Sequence, residues 1–138
     1  MPLFELVLDN YPDSVKIVYK HFPLPSHKEA FSAALASMAA AEQGRFWEYH
    51  DELFINQKSL SKEKYLEIAR KLGLDMNKFT LDMMRPSLRQ EIEQDIADGQ
   101  KAGVAGTPTV FVNGRKLKKR DFETLSRLID EELAGGQD

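Results

Sequence analysis

Three histidines, one proline-led loop and one basic run are the places where this 138-residue chain could do chemistry. Histidine titrates near neutral pH and is the commonest metal ligand. His21, His27 and His50 form no helix-face pair with a nearby third ligand, and no cysteine assists them. They read as solvated or locally hydrogen-bonded histidines, with no metal and no cofactor expected. The absence of cysteine removes disulfides, thiolate metal sites and sulfur nucleophiles together. The second place is "GVAGTPTVFVNG", Gly103 to Gly114, where Pro108 abuts the short apolar run Thr109–Val112. Proline gives no amide hydrogen to a ladder, so it belongs at the first residue, edge or bulge of a strand. On local sequence alone it is either a trans proline starting a strand or part of a built loop.

The basic run "RKLKKR", Arg115–Arg120, is the third. Nucleic-acid binding would call for stacking aromatics or a recognisable motif beside it. Phe111 and Phe122 are the near ones, and both fit core stripes better. Lysines on an outer hairpin strand instead guard against edge association, so no nucleic-acid partner is expected. Met38, Met76, Met83 and Met84 could line a peptide groove, but their spacing fits helical packing. "EIEQDIAD", Glu91–Asp98, sets charges around Ile92 and Ile96 and reads as a solvated helix face. No P-loop, nucleophile elbow or dinucleotide fingerprint is present.

These residues need elements to hold them. Pro2 suits a first helical turn, followed by the apolar stripe Leu3, Phe4, Val7, Leu8 and Tyr11, and Pro12 ends the helix. "SVKIVYKHF" is rich in β-branched and aromatic residues, with Val15, Ile17 and Tyr19 on one face, and reads as a strand of a covered, mostly parallel sheet. The period then turns helical. Ser26 with Glu29 forms a capping box, and Phe31, Ala34, Leu35 and Met38 follow. "RFWEYHDELF" predicts a helix burying Phe46, Trp47, Leu53 and Phe54. Ser61 and Asp75 cap two more, the first with a Leu60–Tyr65 staple. Another runs from Pro86 to Gly103 with Leu88, Ile92 and Ile96 inward. Asn113-Gly114 signals a two-residue hairpin turn returning through Arg115–Lys118. Asp121 caps a last helix with Phe122, Leu125, Ile129 and Leu133 on its stripe.

Composition sets the outer bounds. At 42% hydrophobic and 30% charged the chain is globular rather than disordered. A net charge of −3 argues against a general polyanion binder. No apolar run is long enough to cross a bilayer, and the start has neither basic region nor cleavage site. As written, the chain is expected to be cytoplasmic, with no membrane partner.

The order of elements, together with "GVAGTPTVFVNG", "KIVYKHFPLPSHKEA" and "AAAEQGRFWEYHDELF", resembles the DsbA-like thiol–disulfide oxidoreductases of the thioredoxin superfamily, from about Met1 to Leu133. The resemblance implies an α/β, thioredoxin-like fold with an inserted α-helical sub-domain, truncated at the N-terminus. Residues 1–25 and 90–138 would form the incomplete core, and 26–89 the insertion. It implies a cis Pro108, and a loop of Gly106, Thr107 and Pro108 at which the backbone of Thr107 pairs with an extended substrate. It implies protein or peptide thiols as partners, and an extracytoplasmic setting for most members.

Members of that family carry Cys-x-x-Cys at the start of the helix corresponding to the one at Pro2, where the helix N-terminus lowers a thiol's pKa. Here the central strand and both cysteines are missing, so no catalytic residue is assigned. The lost strand would lie between Val15–Phe22 and Thr109–Val112. The chain is therefore expected to close the gap or to pair with a second copy through exposed strand edges. Met1 falls where the cysteine-bearing turn would end. The favoured expectation is a reading frame opening at an internal methionine, with cysteine or selenocysteine encoded upstream. The alternatives are a redox-inactive peptide-binding or dimerisation module, and a relative of the kappa-class glutathione transferases.

Overall fold

The computed structural model describes residues 2–24 and 27–135. In chain order the elements are α1 (Pro2–Asn10), α2 (Ala30–Ala41), α3 (Phe46–Ile55), α4 (Lys62–Lys71), α5 (Met76–Met83), α6 (Pro86–Lys101), β1 (Phe111–Val112), β2 (Arg115–Lys116) and α7 (Phe122–Gly135). They fall into two compact units, residues 1–19 with 104–138, and residues 20–103.

The first unit is built on a hairpin and two helices. Val112 pairs with Arg115 and Phe111 with Lys116 in antiparallel register. The Leu117 amide extends the pairing by donating to the Val110 carbonyl at 2.8 Å. Asn113 and Gly114 both take positive φ, 48° and 83°, as a tight turn matching the strand twist requires. Val7 of α1, Leu117, and Leu125 and Ile129 of α7 form the buried core, with Leu3, Phe4, Tyr11, Val15, Val110 and Val112 packed around them. Asp121 caps α7, its carboxylate accepting from the Thr124 amide at 2.7 Å. Leu8, expected on the inner stripe of α1, is exposed. Val7 and Phe4 already meet α7 and the hairpin, and Leu8 lies about 100° around the helix from Val7.

Helices α2 to α6 make the second unit. Ala36, Ala39 and Ala40 let α2 lie close against its neighbours, around buried Tyr49, Tyr65, Ile68 and Phe79. Leu88 and Ile92 of α6 pack on Ala34 and Leu35 at the other side of α2. Ser61 accepts from the Lys64 amide and Asp75 from the Lys78 amide, so both expected caps are made. Leu60 packs on the cluster that holds Tyr65, as the staple requires. The capping box differs. Ser26 lies outside the described residues, and α2 opens at Ala30 after Glu29, which makes no side-chain cap bond. Glu29 instead accepts from the Tyr65 hydroxyl at 2.9 Å.

Two expectations are corrected. The segment 15–22 joins no ladder, and the sheet among the described residues is the two-stranded hairpin alone. Strand propensity needs a partner strand to become a strand, and none is placed beside it. On α3, Trp47 and Phe54 are 43% and 54% exposed, while Tyr49 and His50 are buried. The Tyr49 hydroxyl reaches the Tyr65 carbonyl at 2.9 Å, which fixes the rotation of α3 and turns Trp47 outward.

Candidate functional site

The proline loop emerges from the core of the first unit. Val110 and Val112 anchor its C-terminal side in the apolar cluster beneath α1 and α7. Immediately before them, the Thr109 hydroxyl donates to the Gly106 carbonyl at 2.6 Å and closes the loop on itself. Gly106 is half-buried, and Thr107 and Pro108 are exposed. The Thr107–Pro108 peptide bond is cis. Pro108 has no N–H, so at this exposed step the backbone donor is that of Thr107. Among the described residues neither this amide nor the Thr107 carbonyl makes a hydrogen bond. Chemically, such a loop can offer an extended chain one backbone donor and one acceptor on a braced support. It holds no sulfur nucleophile.

The histidines belong to the second unit, and of the two environments expected for them the structure excludes solvation for His21 and His50. His21 and His50 are 7% and 4% exposed, so neither is solvated. His27 is exposed. The His50 ring lies among Phe46, Trp47 and Phe54, with centroids 5.8, 5.6 and 4.9 Å away. His21 stands edge-on to Phe46 at 6.1 Å. Burial lowers the pKa of both, against the opposing pull of Asp95 on His21 and of Asp51 on His50. Among the described residues no group of three or more histidine, aspartate or glutamate side chains is placed to hold a metal. The spacing did carry a signal, since Phe46, His50 and Phe54 recur every four residues on one helix face.

The acidic run on α6 is likewise not simply solvated. Asp95 accepts from the His21 amide at 2.9 Å, and Asp98 from the Lys20 ammonium at 2.9 Å. Together they hold the end of the 15–22 segment against α6. Asp82, which the sequence reading did not single out, is buried with Lys78 at 3.0 Å and Arg85 at 3.1 Å. Its i−4 and i+3 cations were visible in the sequence, but its burial was not.

The basic run lies across β2. Arg115 pairs with Glu131 at 2.9 Å and Lys119 with Asp121 at 3.4 Å. Lys116, Lys118 and Arg127 share with Arg115 and Glu131 a cavity of about 510 Å³ against α7, and no aromatic side chain lines it for base stacking. Met38, Met76 and Met83 pack on the helical clusters, whereas Met84 is exposed.

A family model described as thioredoxin matches residues 3–131. Among solved structures, a thioredoxin-like oxidoreductase from Silicibacter pomeroyi superposes with a TM-score of 0.82 at 28% identity, over 97% of this chain and 77% of that one. Similar sequences include a Na(+)/H(+) antiporter NhaA of Herminiimonas arsenicoxydans, 35% identical over 91% of this chain and 20% of its own length. Another is the Na(+)/H(+) antiporter NhaA 3 of Salinispora tropica, 42% identical over 81% of this chain and 17% of that protein. The chain thus spans about a fifth of the length of these relatives.

Proposed function

Because this chain belongs to the thioredoxin family, we propose that it is the substrate-facing part of a DsbA-like thiol–disulfide oxidoreductase domain. Gly106, Thr107 and Pro108 hold an extended protein or peptide substrate, and the thiol chemistry comes from cysteines outside these 138 residues. The observation that carries this reading is the braced, exposed Thr107, whose backbone donor and acceptor meet no partner among the described residues. The likeness to a thioredoxin-like oxidoreductase supports the reaction class. Thiol–disulfide exchange proceeds by attack of a thiolate on a disulfide sulfur. With no cysteine in the sequence, the chain by itself has no such nucleophile.

The same absence of cysteine supports a second reading, a redox-inactive module that holds extended peptides. The codons upstream of Met1 separate the readings. An in-frame Cys-x-x-Cys, or its selenocysteine equivalent, supports the first. No in-frame match supports the second, and a serine at the first cysteine's place supports a glutathione-transferase relative.

Peptide binding itself is tested by titrating carboxymethylated insulin B chain into the labelled protein and following amide NMR shifts. Shifts should concentrate at Gly106, Thr107 and Thr109. Thr107→Pro, which removes the donor, should weaken binding up to about tenfold. Shifts scattered elsewhere with none in this loop would sink the proposal. Insulin reduction by the cysteine-free chain would refute the assignment of chemistry to outside residues.

A further inference from the structure

The outer strand of the hairpin, β2, faces α7 across a cavity of about 510 Å³ whose lining residues all belong to the first unit. The strand expected beside Thr109–Val112 would add on the far side of β1, so it would leave this cavity open. Arg115, Lys116 and Lys118 line it from the strand side, and Arg127, Leu128 and Glu131 from α7. Residues 127, 128 and 131 are neighbours on one helix face, and Leu125 and Ile129 hold that helix in the apolar core. Lysines that only guarded a strand edge would need no counterpart on the helix. Here an arginine from α7 converges on the same space.

The charges of this cavity do not cancel. Four cations and one carboxylate line it, a net +3 in a chain whose total is −3. Glu131 is taken up by Arg115 at 2.9 Å, and Glu132 offers that arginine a second carboxylate at 3.7 Å. Among the described residues, Lys116, Lys118 and Arg127 make no ion pair. Like charges gathered around one space repel one another, and an anion placed among them relieves that repulsion.

We propose that this cavity binds a phosphate monoester. A phosphoryl group puts close to two negative charges and three acceptor oxygens on one centre, which answers three uncompensated cations better than a single carboxylate does. The planar guanidinium of Arg127 is shaped to hold two of those oxygens at once, and the lysines act as point charges on the remainder. The volume is that of a small-molecule site. Leu128 gives the ester an apolar wall, and the lack of a lining aromatic argues against a nucleobase. A soluble phosphate ester and a phosphatidic acid headgroup share this chemistry. Glu131 is the internal competitor, holding Arg115 until the phosphoryl group displaces it. The site shares no residue with Gly106–Pro108 and does not depend on the peptide-binding reading.

Glycerol 3-phosphate is titrated into the intact labelled chain and followed by amide NMR shifts. Phosphatidylcholine vesicles with and without phosphatidic acid are tested in parallel by co-sedimentation. Saturable shifts at Lys116, Lys118 and Arg127 support a soluble ester as ligand, and binding only to vesicles that contain phosphatidic acid supports the headgroup. Three variants at exposed residues then test the site. Arg127→Ala should weaken binding on the order of tenfold. Glu131→Gln removes the competing carboxylate and should tighten it about threefold. Arg120→Ala takes the same charge from the same basic run but outside the cavity, and should change binding less than about twofold. Circular dichroism should show unchanged helix content in all three. Binding to neither probe overturns the proposal. So does equally tight binding of succinate, which would make the cavity a general anion site. An equal loss in Arg127→Ala and Arg120→Ala would reduce it to diffuse charge, and overturns it too.

Discussion

Gly99 sits in the last turn of α6, two residues before its end at Lys101, where alanine would still ordinarily be an improvement. In an exposed helix interior, glycine costs about 0.8–1.0 kcal/mol relative to alanine. Here, a β-carbon at residue 99 would lie 2.7 Å from both Cδ1 and Cε1 of Phe22. Carbon atoms pack best at about 3.5–4.0 Å, so the ring would have to retreat by roughly 0.8 Å or more. Forcing an extra methyl into a packed contact costs about 1–3 kcal/mol. The steric cost exceeds the propensity gain over most of that range, so Gly99→Ala should destabilise the protein by about 1 kcal/mol. The same change in a Phe22→Ala background meets no ring and should stabilise by about 0.8 kcal/mol. The sign reversal is the diagnostic result, and the coupling between the two sites should be about 1–3 kcal/mol. Urea unfolding followed by fluorescence of Trp47, the chain's one tryptophan, reads all four proteins. If Gly99→Ala stabilises both backgrounds equally, the inference that the Phe22 ring packs tightly on α6 at Gly99 fails.

Burial lowers the pKa of His21 and His50, so below about pH 6.5 the unfolded chain binds protons that the folded one resists. Stability therefore rises with pH through that window, is level above it, and is lost as pH falls beneath it. The urea midpoint should be lower at pH 5.5 than at pH 7.5, and His50→Phe should reduce the difference; equal midpoints in the unaltered protein would refute it. Tyr49→Phe removes a fully buried hydroxyl that donates to the Tyr65 carbonyl at 2.9 Å. It should cost roughly 1–3 kcal/mol by thermal unfolding; a loss under about 0.3 kcal/mol would mean that the bond does not set the rotation of α3.

Local chemistry made much of the architecture legible. Ser61, Asp75 and Asp121 cap helices at the residues the sequence marks, because a cap needs only a side-chain oxygen within three residues of the amide it accepts from. Asn113-Gly114 forms its hairpin turn for a similar reason, since the positive φ values it needs are a property of the two residues themselves. The proline loop was also marked, through the order Gly-Thr-Pro before an apolar strand. What escaped depends on atoms far away in sequence. The helix at Phe46 was evident, but which of its faces turns inward was not, because Tyr65 decides that from 16 residues on. His50 was visible and its burial was not. Asp95 and Asp98 read as solvent-facing until the structure set Lys20 and the His21 amide against them, more than 70 residues away in sequence.

The segment 15–22 shows where that boundary lies. Its sequence by itself determined β-propensity and an alternating face, which survives from Val15 to Val18 and is lost at Tyr19, exposed although it was expected on the face of Val15 and Ile17. Whether those preferences become a strand was left to tertiary structure, because a β-ladder is completed by another strand's amides and carbonyls and a helix by its own. The caps, turns and helices of this protein could be written into short stretches of sequence for that reason. The partner strand that Val15–Lys20 would need could not.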